Sequence, residues 1–196
     1  MATSGTTTFD LSIEEIIQEA YERCGMTTTS GHSLRSARTS LNLLFAEWAN
    51  RGIHLWKVSL HENTLVSGQA EYAVDSAVSD VLEAFVSTTA AGANTASTQD
   101  VSLTKIDRSA YAALPNKLAL GQPSQYYVDR QEIPKIYLYQ APNLNTYTVL
   151  KYYVIKRIQD AGAYTNDADV VFRFLPCMVA GLAYYLAMKN APTLVQ

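Results

Sequence analysis

Gly31-His32-Ser33-Leu34-Arg35 places a serine beside a histidine and two residues after a glycine. This is the chain's nearest approach to the nucleophile elbow of a hydrolase, which needs a second glycine where Arg35 stands and a strand before the serine. Here a Thr/Ser-rich loop, Met26–Gly31, leads into Ser33, which reads as a helix cap. Asn166-Asp167-Ala168-Asp169 resembles the opening of a calcium loop, but Phe172 takes the place of the turn glycine and Met178 that of the bidentate glutamate. His32, His54 and His61 do not cluster. His54 and His61 flank a strand at a spacing of seven and point to opposite faces if it is regular. The acid pairs Glu14/Glu15 and Asp167/Asp169 suit helix N-termini better than a cleft floor. No phosphate-binding loop, dinucleotide fingerprint or HExxH is present. The expectation is a protein with no catalytic residue, no cofactor and no metal site, not an enzyme.

The composition agrees with a contact protein. Charged residues are 17% of the 196 residues, with a formal net charge of −3 and 13 tyrosines. A surface poor in charge and rich in tyrosine suits protein–protein contact, and no basic patch exists to grip nucleic acid through its phosphates. Cys24 and Cys177 both fall in apolar helical patterns and read as buried thiols of a protein made in a reducing cytoplasm. The longest uncharged stretch, between Arg173 and Lys189, contains Pro176 and Gly181 and is too short to span a bilayer. No membrane association is expected.

Helical periodicity frames the chain. Leu11, Ile13, Ile16, Ile17, Ala20, Tyr21 and Cys24 form one stripe, with Asp10 as cap and Gly25 as stop. Leu34, Ala37, Leu41, Leu44, Phe45 and Trp48 form a second, ended by Gly52. The two helices should make an antiparallel hairpin. Strands are predicted at Leu55–Val66 (Trp56, Val58 and Leu60 on one face), Glu71–Val74, Val81–Thr88, Val101–Ile106, Gln125–Val128, Lys135–Gln140 and Thr146–Ile158. A short helix is predicted at Ser109–Leu114. Helical character returns at Val170–Lys189 after a cap at Asp167 or Asp169, with Pro176 kinking that helix or splitting it before Leu175. The fold class is α+β. Residues 1–53 and 163–196 build a helical body from both chain ends, and 54–162 form a β-rich insert. Its candidate core comprises Leu41, Leu44, Phe45, Trp48, Trp56, Phe174, Leu182 and Leu186.

Eight tyrosines fall between Tyr126 and Tyr164. Tyr137 and Tyr139 share a strand face, whereas Tyr152 and Tyr153 take opposite faces. Tyr137, Tyr139, Tyr152 and Tyr153, with Pro192, Leu194 and Val195 beyond the last helix, are the candidate interface residues, because tyrosine gives large contact area at low entropic cost.

Several blocks, in this order and spacing, carry a resemblance. They are Leu43-Leu44-Phe45-Ala46-Glu47-Trp48-Ala49-Asn50-Arg51-Gly52-Ile53 followed by Leu55-Trp56-Lys57-Val58, then Gly121-Gln122-Pro123-Ser124-Gln125-Tyr126-Tyr127-Val128-Asp129-Arg130. After these come Ile136-Tyr137-Leu138-Tyr139-Gln140-Ala141-Pro142, Leu150-Lys151-Tyr152-Tyr153, and the run from Phe174 to Ala187. Together, over residues 11–190, the chain resembles the head-to-tail adaptor (tail tubular protein A-like) family of short-tailed phages. The resemblance implies a structural virion protein at the head–tail junction, a helical body with a β-rich arm, and a homo-oligomer, a dodecameric ring. The portal protein would lie on one side, the tail nozzle and tail fibre proteins on the other, and DNA would pass through without sequence-specific binding. It implies no catalytic residues. Family members often continue into a charged portal-inserting segment where this sequence has Pro192-Thr193-Leu194-Val195-Gln196. A neck stopper or nozzle protein, or a β-rich receptor- or glycan-binding module, are the alternatives.

Overall fold

The computed structural model describes residues 5, 9–27, 31–53, 55–93 and 96–194. In chain order, helices α1 (Ile13–Arg23) and α2 (Gly31–Asn50) come first, and a 3-10 turn at Leu55–Lys57 follows. Then come strands β1 (Val58–Thr64), β2 (Glu71–Ala73), β3 (Val78–Ser87), β4 (Asp100–Ser102) and β5 (Thr104–Ile106), and the short helix α3 (Arg108–Ala113). Strands β6 (Leu120–Gly121), β7 (Gln125–Asp129), β8 (Lys135–Tyr139), β9 (Ala141–Pro142) and β10 (Val149–Lys156) complete the middle. A 3-10 turn at Phe172–Phe174 opens α4 (Leu175–Asn190), and a last one covers Pro192–Leu194. The fold is α+β, with helices from both ends and a β-rich middle.

Two compact units result, residues 1–56 with 158–196, and residues 57–157. The boundaries differ from the expected 53/54 and 162/163 for a packing reason. Trp56 packs against the helical core, and Ile158 and Ala161 are buried in it, so these flanking residues belong with the helices.

In the helical unit, α1 begins at Ser12, not at Asp10. The Ser12 hydroxyl accepts from the Glu15 N–H while the Glu15 carboxylate accepts from the Ser12 N–H at 2.8 Å. This reciprocal capping box satisfies two donors at once, whereas Asp10 accepts only from the adjacent Leu11 N–H. Helix α2 already includes Ser33, so Ser33 is not its cap, and residues 28–30 lie outside the described residues. Asp167 and Asp169 do not cap a helix. Asp167 pairs with Ser12 in an isolated bridge, and Asp169 accepts from the Gln159 N–H at 3.0 Å. Pro176 falls in the first turn of α4, where its missing N–H costs nothing, so α4 continues as one helix to Asn190.

The three long helices close on one core. Ile13, Ile16, Ile17, Leu41, Met178, Leu182 and Leu186 are all but fully buried there. Leu44, Phe45 and Trp48 are buried beside them, and Phe174 and Trp56 are half-buried against the same cluster. Trp56 stacks at 4.8 Å on Phe174, which also meets Trp48 edge-on at 6.3 Å. Gly181 lets α4 approach α2 closely: a Cβ there would meet two Leu44 methyls at 3.0 Å.

The β unit pairs two four-stranded sheets, β1-β10-β3-β4 and β2-β8-β7-β5, with a two-residue ladder β6-β9 beside them. Their inner faces supply one core of Tyr72, Val81, Ala84, Val86, Tyr126, Val128, Ile136, Leu138, Leu150, Tyr152 and Val154. Alternation is kept on β7 and β8, where Tyr126 and Val128 face Leu138 and Ile136. The expected Leu55–Val66 strand is shorter, and the face that Val58 and Leu60 share is the outer one. Leu55–Lys57 is a turn, Val58 and Leu60 are 38% exposed, and Ser59, His61 and Asn63 face inward. Strand β1 is an edge strand, so its inner side lies at the flank of the core, where polar groups keep some water. The Val101–Ile106 strand divides at Leu103, with β4 joining one sheet and β5 the other.

Candidate interaction surfaces

The residues with chemical potential in the sequence are put to structural use. Ser33 sits in the first turn of α2, and its carbonyl accepts from the Tyr21 hydroxyl at 3.1 Å. The Asn166 carbonyl accepts from the Ile13 N–H at 2.9 Å. His61 is half-buried on β1, and His54 lies outside the described residues. Among the described residues no three His, Cys, Asp or Glu side chains converge to hold a metal ion, and no helix is long and apolar enough to cross a membrane. Cys24 is buried, its thiol donating to the Ala183 carbonyl at 3.2 Å and pushed up in pKa by burial. Cys177, expected to be buried, is exposed on α4, because it falls outside the buried stripe of Leu175, Met178, Val179, Leu182 and Leu186.

The candidate interface residues separate. Tyr137 and Tyr139 lie half-exposed on the outer face of β8. Tyr137 stacks at 5.9 Å on its cross-strand partner Tyr127, and Tyr111 from α3 packs on both, at 5.5 Å from Tyr127 and 5.7 Å from Tyr137. Lys117 sits 5.6 Å over the Tyr111 ring. Tyr152 is 2% exposed, a core residue and not a surface one; its inward phase on β10 lets its hydroxyl donate to Asn63 Oδ1 at 3.1 Å. Tyr153 points the other way and is 39% exposed. Pro192 is exposed in its 3-10 turn. The Leu194 side chain and all of Val195 lie outside the described residues.

Among the described residues, both units leave apolar side chains open. On the β1-β10-β3-β4 sheet, Val58, Leu60, Leu82 and Tyr153 are each 38–40% exposed on neighbouring strands. Beside them Lys151 is only 1% exposed, its ammonium 3.6 Å from Asp100. On the helical unit, α4 is apolar around its whole circumference, with Lys189 its only charge. Such a helix is normally buried on all sides, yet Tyr184 and Met188 are exposed, as is Leu43 on α2. Also on that unit, Phe9, Leu11, Phe172, Leu175, Pro176 and Val179 line an open groove of about 710 Å³ between α1 and the start of α4. Phe9 and Phe172 meet edge-to-face at 6.2 Å across it but stay 62% and 64% exposed. Sequence reasoning missed this groove, since its walls lie about 160 residues apart in the chain and no local pattern joins them.

Tyr185 links the helices at the edge of the exposed row, donating to Glu47 Oε2 at 2.5 Å. That bond raises the pKa of the phenol and lowers that of the carboxyl. Everything these surfaces offer is area and polarity for another macromolecule. No curated protein matches the chain. The family model described as SU10 adaptor protein matches residues 13–195, which spans both units, and the chain therefore belongs to this family of phage adaptor proteins.

Proposed function

We propose that this adaptor acts at the head–tail junction as a closed ring, with the portal protein on one side, the tail nozzle and fibre proteins on the other, and DNA passing through its centre. The observation that carries this reading is the family match over residues 13–195. The exposed apolar surfaces support a role played by contact rather than chemistry, because patches of this kind mark protein interfaces. Under this reading the helical unit builds the ring and faces the portal, and the β unit, with Tyr137, Tyr139 and Tyr153, meets the tail. The net charge of −3 suits a channel that lets DNA slide, since a neutral or negative lumen does not hold phosphates.

Mixing the purified chain with purified portal and imaging the complex tests the proposal. The expected result is a ring on one face of the portal, a dodecamer having twelve times the 21.6 kDa chain mass. A chain that leaves the portal unoccupied while binding another tail component would replace this reading with that of a nozzle or stopper protein.

A further inference from the structure

The helical unit is electrically two-sided. Its α1 side, with the lead-in, carries Asp10, Glu14, Glu15, Glu19 and Glu22 against Arg23 alone. Helix α2 carries Arg35 and Arg38 against Glu47 alone, and α4 carries Lys189 and no acid. Each side also owns an uncovered apolar surface. Glu15, Glu19 and Glu22 rim the groove against Arg23, which is held by Glu19 at 2.8 Å, and Arg173, which lies 5.7 Å over the Phe174 ring. The exposed Leu43, Tyr184 and Met188 belong to α2 and α4, the helices with the excess of basic residues. Arg35 shares the exposed stripe of α2 with Leu43, and Lys189 follows Met188 and donates to Ser40 of α2 at 2.6 Å.

From this we propose that the acidic-rimmed groove of one copy receives the Leu43–Tyr184–Met188 row of a second copy, head to tail. One copy cannot satisfy itself. The groove uses the start of α4 at Leu175, Pro176 and Val179, and the row uses Tyr184 and Met188 further along, about 14 Å away between midpoints at 1.5 Å per residue. Groove and row share no residue, so after pairing one copy keeps a free row and the other a free groove. That is the heterologous contact from which a ring closes. The apolar parts would exclude water, while the opposite charges set orientation and encounter rate. This inference rests on the ring reading and adds to it the two surfaces in contact and their polarity.

Complementary variants test it. Tyr184→Asp spoils the row and leaves the groove; Phe172→Asp spoils the groove and leaves the row. Both side chains are more than half exposed, so the core is untouched, and circular dichroism with a melting curve checks this for each. Self-association is measured by sedimentation velocity on the full chain at low salt, with Met188→Asp as a second lesion of the row. The wild type is expected to associate, and each variant alone to do so at least tenfold more weakly. An equimolar mixture of Tyr184→Asp and Phe172→Asp should give a dimer and nothing larger, since one intact contact remains. Variants that associate like wild type, a mixture that stays monomeric, or a wild type that stays monomeric at its highest soluble concentration would overturn the assignment. Portal binding, measured separately, tells the two ideas apart: variants that still form rings on the portal sink the assigned surfaces and leave the adaptor reading standing.

Discussion

His61 faces inward from β1 with its ring 6.0 Å from that of Tyr152. Burial, and then the Lys156 ammonium, hold its pKa below the usual histidine value, with Asp75 opposing them. A base whose folded pKa is depressed binds its proton more readily in the unfolded chain. The stability it permits is therefore complete above the unfolded value of 6.5 and falls as the pH drops below it. The denaturation midpoint of the chain should decline from pH 7.5 to about pH 5, ahead of the carboxylate range. His61→Gln should flatten the decline in that window, as read by denaturant titrations across it; an unchanged slope would exclude His61 as the cause. Tyr126 shows the same burial acting on a phenol. Its hydroxyl donates to the Leu82 carbonyl at 3.2 Å, and its pKa is pushed up to about 12. Tyr126 sits where a side chain with a polar tip spans the space between sheets and finds its partner at the far end.

Helix α4 is the element on which the helical unit turns. It packs on α1 and on α2, and Gly181 sets its distance from Leu44. Adding a β-branched side chain there would force Leu44 out of a site where it is only 4% exposed. Gly181→Val should therefore destabilise the chain by about 1–3 kcal/mol, the usual cost of overpacking, seen as a lower melting temperature. Gly181→Ala should cost much less, because better helix propensity offsets the two 3.0 Å contacts with the Leu44 methyls. The strand β1 teaches the converse point about elements. Its period of two was legible in the residues, but its phase was set by the edge position in the sheet, and a shift of one residue exchanges the faces.

At the scale of the molecule the two units have separate cores, and the helical one is polarised between an acidic and a basic side. If opposite charges orient copies of the chain, self-association must weaken as salt screens them. Raising ionic strength from about 50 to 500 mM should lower the association constant several-fold while leaving the melting temperature of the unassociated Tyr184→Asp variant nearly unchanged. Sedimentation across a salt series measures this. Association that strengthens with salt would mean that apolar contact alone drives it.

Local patterns determined much of this protein. The 3.6-residue stripes placed α1, α2 and α4, Gly25 and Gly52 stopped the first two with φ of +67° and +75°, and the order and spacing of the blocks from Leu43 to Ala187 carried the resemblance to head-to-tail adaptors. Such features depend on residues near one another in the chain, so short-range sterics and hydrogen bonding suffice to encode them. Tertiary structure decided the rest. It buried Tyr152 and exposed Tyr153, turned Cys177 outward, drew Trp56 and Ile158 into the helical unit, and brought Phe9 and Phe172 together over a groove. Each of these depends on which distant surface arrives to cover a side chain: the sheets of the β unit for the tyrosines, and the meeting of the two chain ends for the others.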